Sequence, residues 1–173
     1  MIMNKTDVTV IMVSFYSKSL IEKTINFIDK EIEIIVIENS NSFECKELLE
    51  KKYENVKVIL SEENLGNGAG INVGLKKANT KYAFYIDIDT EIQKDTIQNL
   101  LNEASKTQDF ALLAPLVENY EYKKTDYYDD IMTEDANKRR MNFVPGCAMF
   151  FNIEKIKQIG FFDENFFLFF EEK

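Results

Sequence analysis

Two aspartates, Asp87 and Asp89, flank Ile88 at the end of the apolar stretch "YAFYI". In an extended chain, residues two apart face the same way, so both carboxylates are expected to project together. Held that close they repel one another unless a cation lies between them. A hard divalent ion such as Mg²⁺ or Mn²⁺ accepts one or two carboxylates and completes its shell with substrate phosphate oxygens. The pair is therefore a candidate for holding a diphosphate on an acidic protein. An isolated D-x-D is common by chance. Its place at the end of an apolar strand, just after a glycine-rich turn, gives this one weight.

That turn is "NLGNGAGINVG", Asn64 to Gly74. Gly66, Gly68, Gly70 and Gly74 allow a backbone to approach a ligand closely. Asn64, Asn67 and Asn72 each donate and accept hydrogen bonds, as a base or a ribose requires. A dinucleotide fingerprint needs a third glycine at position 71 or 73, where Ile71 and Val73 stand. The Gly-Lys-Ser/Thr of a P-loop is also absent. Glu62 and Glu63 precede the turn and would repel a pyrophosphate. Dinucleotide binding is thus the lesser alternative, and a turn shaped by glycine alone is the plainer one.

The chain contains no histidine. That removes Ser-His-Asp and Cys-His catalysis and any histidine-ligated metal, leaving acid–base chemistry to carboxylates, tyrosine or lysine. Cys45 and Cys147 stand alone in the sequence and read as buried free thiols of a reducing compartment. The formal net charge of −9 over 173 residues, with no basic cluster, makes nucleic acid and anionic membranes poor partners. No apolar run approaches the ~20 residues of a transmembrane segment, and the opening "MIMNKTDVTV" lacks a signal pattern.

The elements that must position these residues alternate in type. Strands are expected at Val8 to Phe15, Glu33 to Glu38, Val56 to Leu60, Tyr82 to Ile86 and Phe110 to Val117. Helices fall between them: one opened by a Ser19–Glu22 capping box and running to about Asp29, one ending near Tyr53, one ending near Ala78, and one capped by Asp95 with Gln98. Short connections between alternating strands and helices predict a parallel sheet covered on both faces. Ligands then bind at the carboxyl ends of the strands, which selects Tyr16, Ser17, Glu38, Asn39, the Asn64–Asn72 loop, Asp87 and Asp89. Glu118 to Arg140 is polar and Tyr-rich and reads as a long loop or an irregular hairpin. Pro145 to Asn152 reads as a further strand, Ile153 to Ile159 as a short helix.

Taken together these segments resemble family-2, GT-A-type glycosyltransferases, especially bacterial rhamnosyltransferase-like members. "VTVIMVSFYS" resembles the family's first strand, with Tyr16 where asparagine is usual. "VIENS" resembles the second-strand ending, with Glu38 in place of the nucleotide-contacting aspartate. "NLGNGAGINVG" is the most specific match, "YIDID" matches the D-x-D strand, and "VPGCAMFFNIEKIKQIGFFDENFFLFFEEK" resembles the acceptor-side segment. The resemblance implies an α/β, Rossmann-like GT-A fold with a mainly parallel central sheet, in a single domain over 1–173. Residues 1–117 would form the nucleotide-sugar half and 118–173 the acceptor side. The family continues beyond this point, so the domain is expected to be C-terminally truncated.

What the resemblance implies for function is an inverting, metal-assisted transfer of sugar from a UDP- or dTDP-type donor to a glycan or lipid-linked acceptor. Ser14, Glu38, Asn39, Asn64, Gly66, Asn67, Gly68, Asn72 and Asp87 would bind the nucleotide sugar. Asp89 and Asp87 would hold Mg²⁺ or Mn²⁺, and Glu172, or its neighbour Glu171, would be the catalytic base. The implied location is the cytoplasm, or the inner face of the membrane where the acceptor is lipid-linked. The alternative from another class is a non-catalytic nucleotide-sugar-binding module, which the changes at Tyr16 and Glu38 keep open.

Overall fold

The computed structural model describes residues 4–107, 109–118, 127–132, 139–141 and 144–167. The β-branched run Val8–Ser14 forms strand β1, with Glu33–Glu38 as β2, Val56–Leu60 as β3 and Tyr82–Ile86 as β4. These four pair in parallel in the spatial order β3-β2-β1-β4. Leu112–Leu113 (β5) and Ala148–Asn152 (β8) complete the sheet, and β8 lies antiparallel between β4 and β5. Tyr127–Met132 (β6) and Arg139–Met141 (β7) pair antiparallel with a register shift, which bears out the irregular hairpin.

Helices α1 (Lys18–Ile25), α2 (Phe43–Lys52), α3 (Asn67–Lys77), α4 (Thr96–Lys106) and α5 (Ile153–Ile159) connect the strands. Alternate residues of each strand face opposite layers. Val10, Met12, Val36 and Phe84 pack with Ile21 of α1, Leu49 of α2 and Leu101 of α4. Ile11, Tyr85, Met149 and Phe151 pack with Ile71 and Leu75 of α3 and Ile156 of α5. The central strands are therefore apolar on both faces, as a sheet covered by helices requires. Each fully buried aliphatic or aromatic side chain contributes about 1.5–3 kcal/mol.

Several boundaries differ from the sequence expectation for identifiable reasons. The α1 N-cap is Ser17, not Ser19, and its hydroxyl turns back to donate to the Phe15 carbonyl (2.8 Å) instead of capping the helix. α1 ends at Ile25 because the next turn tightens to i→i+3 bonds, Phe27 to Thr24 and Ile28 to Ile25. Asp95 is the N-cap of α4 without a side-chain cap bond; its carboxylate instead accepts from Asn99 Nδ2 (3.1 Å). β5 is only two residues long because Pro115 follows it, and proline cannot donate to a sheet ladder.

Candidate active site

The strand order reverses direction at β1. The chain leaves β1 towards β2 and β3, then returns across α3 to place β4 on the other side. Such a switch point opens a crevice at the carboxyl ends of the strands. Ser14 and Glu38 are register partners at the ends of β1 and β2. The Asn39 N–H donates to the Ser14 carbonyl (2.8 Å), which brings the first residue after β2 against the end of β1. Asn39 Nδ2 donates to the Gly66 carbonyl (3.0 Å), joining β2 to the glycine loop. Ser14 Oγ and Asn39 Oδ1 are buried with no hydrogen-bond partner. Buried polar atoms left in this way cost about 1–3 kcal/mol each, so two of them at neighbouring strand ends mark a place built for something polar.

Glu38 is 1% exposed. Its carboxylate accepts from the Ser40 N–H (2.8 Å) and from the Ser40 hydroxyl. Burial, reinforced by the negative charge of Glu38, pushes the Cys45 thiol up to about 11. An open cavity follows, lined by Tyr16, Ser17, Lys18, Glu38, Ser40 and Cys45 among others. Tyr16 is 79% exposed at its mouth and holds φ at 51°, in the left-handed region. Asparagine tolerates that region readily, whereas a bulky residue there stores about 1–3 kcal/mol of strain.

The glycine loop divides into two uses. Gly66 has φ 79° and ψ −170°, a conformation essentially limited to glycine. The Gly66 N–H donates to Asn64 Oδ1 (3.1 Å), so Asn64, itself exposed, shapes the turn. Gly70 and Gly74 instead permit close helix–sheet packing. A Cβ on them would lie 2.9 Å from Val13 Cγ1 and 2.5 Å from Ile11 Cγ2. Gly68 is buried within the first turn of α3. Asn72 differs from its expected role: its side-chain amide hydrogen-bonds the backbone of Phe162 on both sides and also Glu164. It stands under residues 162–164, with its hydrogen-bonding groups already engaged.

At the end of β4, Asp87 is half-buried and Asp89 exposed. The Asp87 N–H donates to the Cys147 carbonyl (2.9 Å), and the Thr90 N–H to the Asp87 carbonyl (3.0 Å), fixing the backbone between the two carboxylates. The Tyr85 hydroxyl contacts both Asp87 Oδ1 and Asn67 Oδ1. Burial, with Asp87 and then Asp89 nearby, raises the Cys147 thiol above its ordinary range. Among the described residues no group of three or more metal-ligating side chains occurs. A two-carboxylate set of hard oxygen donors still fits Mg²⁺ or Mn²⁺ when substrate phosphates supply the remaining ligands. Glu171 and Glu172 lie outside the described residues.

Two participants escaped the sequence reading. Tyr85 is two residues before Asp87 and so on the same strand face, a signal that was present. Glu164 meets Asn72 across the whole domain, and nothing local announces it.

A doubly wound sheet with its crevice at the β1/β4 switch, lined by hydrogen-bonding asparagines and carboxylates, is an architecture suited to a nucleotide-linked ligand. The Glycosyl transferase family 2 model matches residues 9–162, and the chain belongs to that family. Low-salt glycan biosynthesis hexosyltransferase Agl10 of Haloferax volcanii is 22% identical across 96% of this chain and 59% of its own length. Cholesterol galactosyltransferase of Borreliella burgdorferi is 32% identical over 60% of this chain and 30% of its own. Among solved structures, S. aureus TarS 1-349 in complex with UDP superposes with a TM-score of 0.72 at 19% identity, over 95% of this chain and 52% of that one. Mannosyltransferase PcManGT from Pyrobaculum calidifontis, in complex with GDP-Man and Mn²⁺, gives 0.71 at 16% identity, over 92% and 48%. The fold is thus the GT-A fold of these glycosyltransferases. The chain spans about half the length of those solved chains.

Proposed function

We propose that this domain transfers a sugar from a nucleoside-diphosphate sugar to an acceptor hydroxyl with inversion at the transferred carbon. The observation that carries this reading is the convergence of Ser14, Glu38, Asn39, Gly66, Asn67 and Asp87 at the carboxyl ends of β1, β2 and β4 and the start of α3. The cavity beside Glu38 would take the nucleoside, and Tyr16 at its mouth offers a face on which a base can stack. Asn39 and Asn67 supply amides suited to a ribose or sugar hydroxyl. Asp87 and Asp89 would hold a divalent metal, which supplies charge neutralisation for the departing diphosphate.

The acceptor hydroxyl must lose a proton as it attacks an oxocarbenium-like centre. Glu172, or Glu171 beside it, is the carboxylate assigned to receive it. A nucleoside-diphosphate-sugar donor is supported by structural neighbours in complex with UDP and with GDP-Man, and a UDP- or dTDP-type base is the class the resemblance implies. The acceptor class, a glycan or a lipid-linked one, rests on the resemblance. Among the described residues no helix is long and apolar enough to cross a membrane; the cytoplasm, or its membrane face, is the proposed site of action.

A thermal-shift series with UDP, dTDP and NAD⁺, with and without Mn²⁺, tests donor binding. UDP or dTDP with Mn²⁺ is expected to raise the melting temperature; at 100 times Kd the gain is about 2.7 kcal/mol. EDTA should remove most of that shift, and NAD⁺ should give none. A nucleotide shift indifferent to EDTA would overturn the metal role, and a shift with NAD⁺ alone would overturn the donor assignment.

A further inference from the structure

Residues 160–167 lie as a strap across α3. The fully buried Asn72 commits its whole amide to it. Nδ2 donates to the Phe162 carbonyl (2.9 Å) and to Glu164 Oε1 (3.0 Å), while Oδ1 accepts from the Phe162 N–H (3.0 Å). Lys76, one turn further along α3, reaches Glu164 (3.3 Å) and stands over the Phe161 ring, 5.2 Å from its centroid. The Asn72 amide and the Lys76 ammonium hold the Glu164 carboxyl below the usual carboxylate range. At the far end of the strap, the Phe167 carbonyl accepts from the Asn67 N–H (3.0 Å) and sits against Gly66.

Apolar burial does not account for this attachment. Phe161, Phe166 and Phe167 are all exposed; of the strap's aromatics only Phe162 packs inward, edge-on to Phe151 at 5.9 Å. The strap is therefore registered by directional polar contacts, and most of them converge on one side chain. That side chain projects from the same helix that Gly66 caps and Asn67 opens in the donor loop. Asn72 thus sits where the position of the acceptor-side segment is fixed relative to the donor crevice.

We infer that Asn72 is a positioning residue for the transfer reaction, setting the register of the 160–167 strap against the donor loop through Phe162 and Glu164. The catalytic part of this rests on the proposed function, in which the chain beyond the strap carries the base. A misplaced base costs up to about 100-fold in rate. Loss of the Asn72 contacts should then lower kcat and leave nucleotide affinity alone. The geometric part stands independently of any reaction.

The test compares Asn72→Asp, Asn72→Asp with Glu164→Gln, and Glu164→Ala in the same chain as the parent. Asn72→Asp keeps an acceptor for the Phe162 N–H but removes both donated bonds and sets a second carboxylate against Glu164. Amide hydrogen exchange in a peptide covering 160–167 is expected to quicken, and kcat to fall by about 10- to 100-fold, with UDP affinity in Mn²⁺ unchanged. Adding Glu164→Gln should restore part of both by removing the repulsion. Glu164→Ala, at an exposed position, should quicken exchange in the same peptide even if the Asn72 variant does not fold. Unchanged exchange in Glu164→Ala, or UDP affinity falling in step with kcat in Asn72→Asp, overturns the inference. If the parent binds neither UDP nor dTDP in Mn²⁺, the proposed function fails, while the exchange comparison still decides the strap.

Discussion

The Tyr85 hydroxyl stands between the two halves of the crevice, in contact with the Asp87 carboxylate on its own strand and 2.8 Å from Asn67 Oδ1 on the glycine loop. A phenol has one proton, and the carboxylate is the stronger acceptor, so the bond to Asp87 sets that side chain's orientation. Tyr85→Phe keeps the buried ring and removes the hydroxyl, with its contacts to Asp87 and Asn67. Hydrogen bonds to charged groups are worth about 1.5–3 kcal/mol. Calorimetric titration of UDP in Mn²⁺ should show affinity weakened by about tenfold or more; equal affinity in the two proteins would remove Tyr85 from the site.

Asp89 is the exposed partner of the pair. Asp89→Asn should weaken nucleotide binding in Mn²⁺ while leaving the unliganded unfolding midpoint unchanged or slightly higher, because like-charge repulsion with Asp87 is relieved. Nucleotide affinity in Mn²⁺ that is indifferent to this substitution would show that Asp89 is not a ligand.

Gly66→Ala imposes two penalties at once. A side chain is strained at φ 79°, ψ −170°, by about 1–3 kcal/mol. Its Cβ would also lie 2.2 Å from the Phe167 carbonyl oxygen, so the strap must shift. Urea unfolding should show a stability loss of at least about 1 kcal/mol, accompanied by weaker nucleotide binding. A variant as stable as the parent would mean the loop relaxes freely at this position.

Cys45 gives the fold a dependence on alkaline pH. The folded thiol titrates near 11, above its ordinary 9.0, because it is buried and faces Glu38. Folded chains therefore hold a proton that unfolded chains release between pH 9 and about 11. The stabilisation is complete below that window and is lost as pH rises through it, with a slope of at most about 1.4 kcal/mol per pH unit. Cys45→Ala should show a shallower decline in unfolding free energy between pH 9 and 10.5 than the parent, as measured by urea titration at each pH. Parallel declines would mean the thiol ionises in the folded protein without penalty.

Much of the fold was legible because it is written in local pattern. The runs at Glu33–Glu38, Val56–Leu60 and Tyr82–Ile86 become strands with the expected limits, since most of their β-branched and aromatic residues are buried where the sheet is covered. Ile97, Leu100, Leu101 and Ala104 form the buried face of α4 as their spacing foretold. The glycine loop was harder. Sequence spacing cannot separate a glycine that admits a ligand from one that admits a neighbouring strand, and Gly70 and Gly74 meet Val13 and Ile11. Asn72 illustrates the same limit: nothing beside it in the sequence announces that Phe162, 90 positions away, engages its amide. The antiparallel insertion of β8 between β4 and β5 was hidden for a related reason, since strand order is decided by long-range packing.

That insertion bears on how readily the molecule can be altered. β8 pairs Phe150 with Leu113, so the chain between β5 and β8 closes a loop whose two ends are held by the ladder. The entropy of closing such a loop grows only with the logarithm of its length; doubling it costs about 0.6 kcal/mol. By contrast, β1 to β4 are joined by short connections in which one inserted residue would disturb register or helix packing. Lengthening, shortening or exchanging the stretch between β5 and β8 should therefore be tolerated by the sheet, with the crevice at the carboxyl ends of β1, β2 and β4 left unchanged.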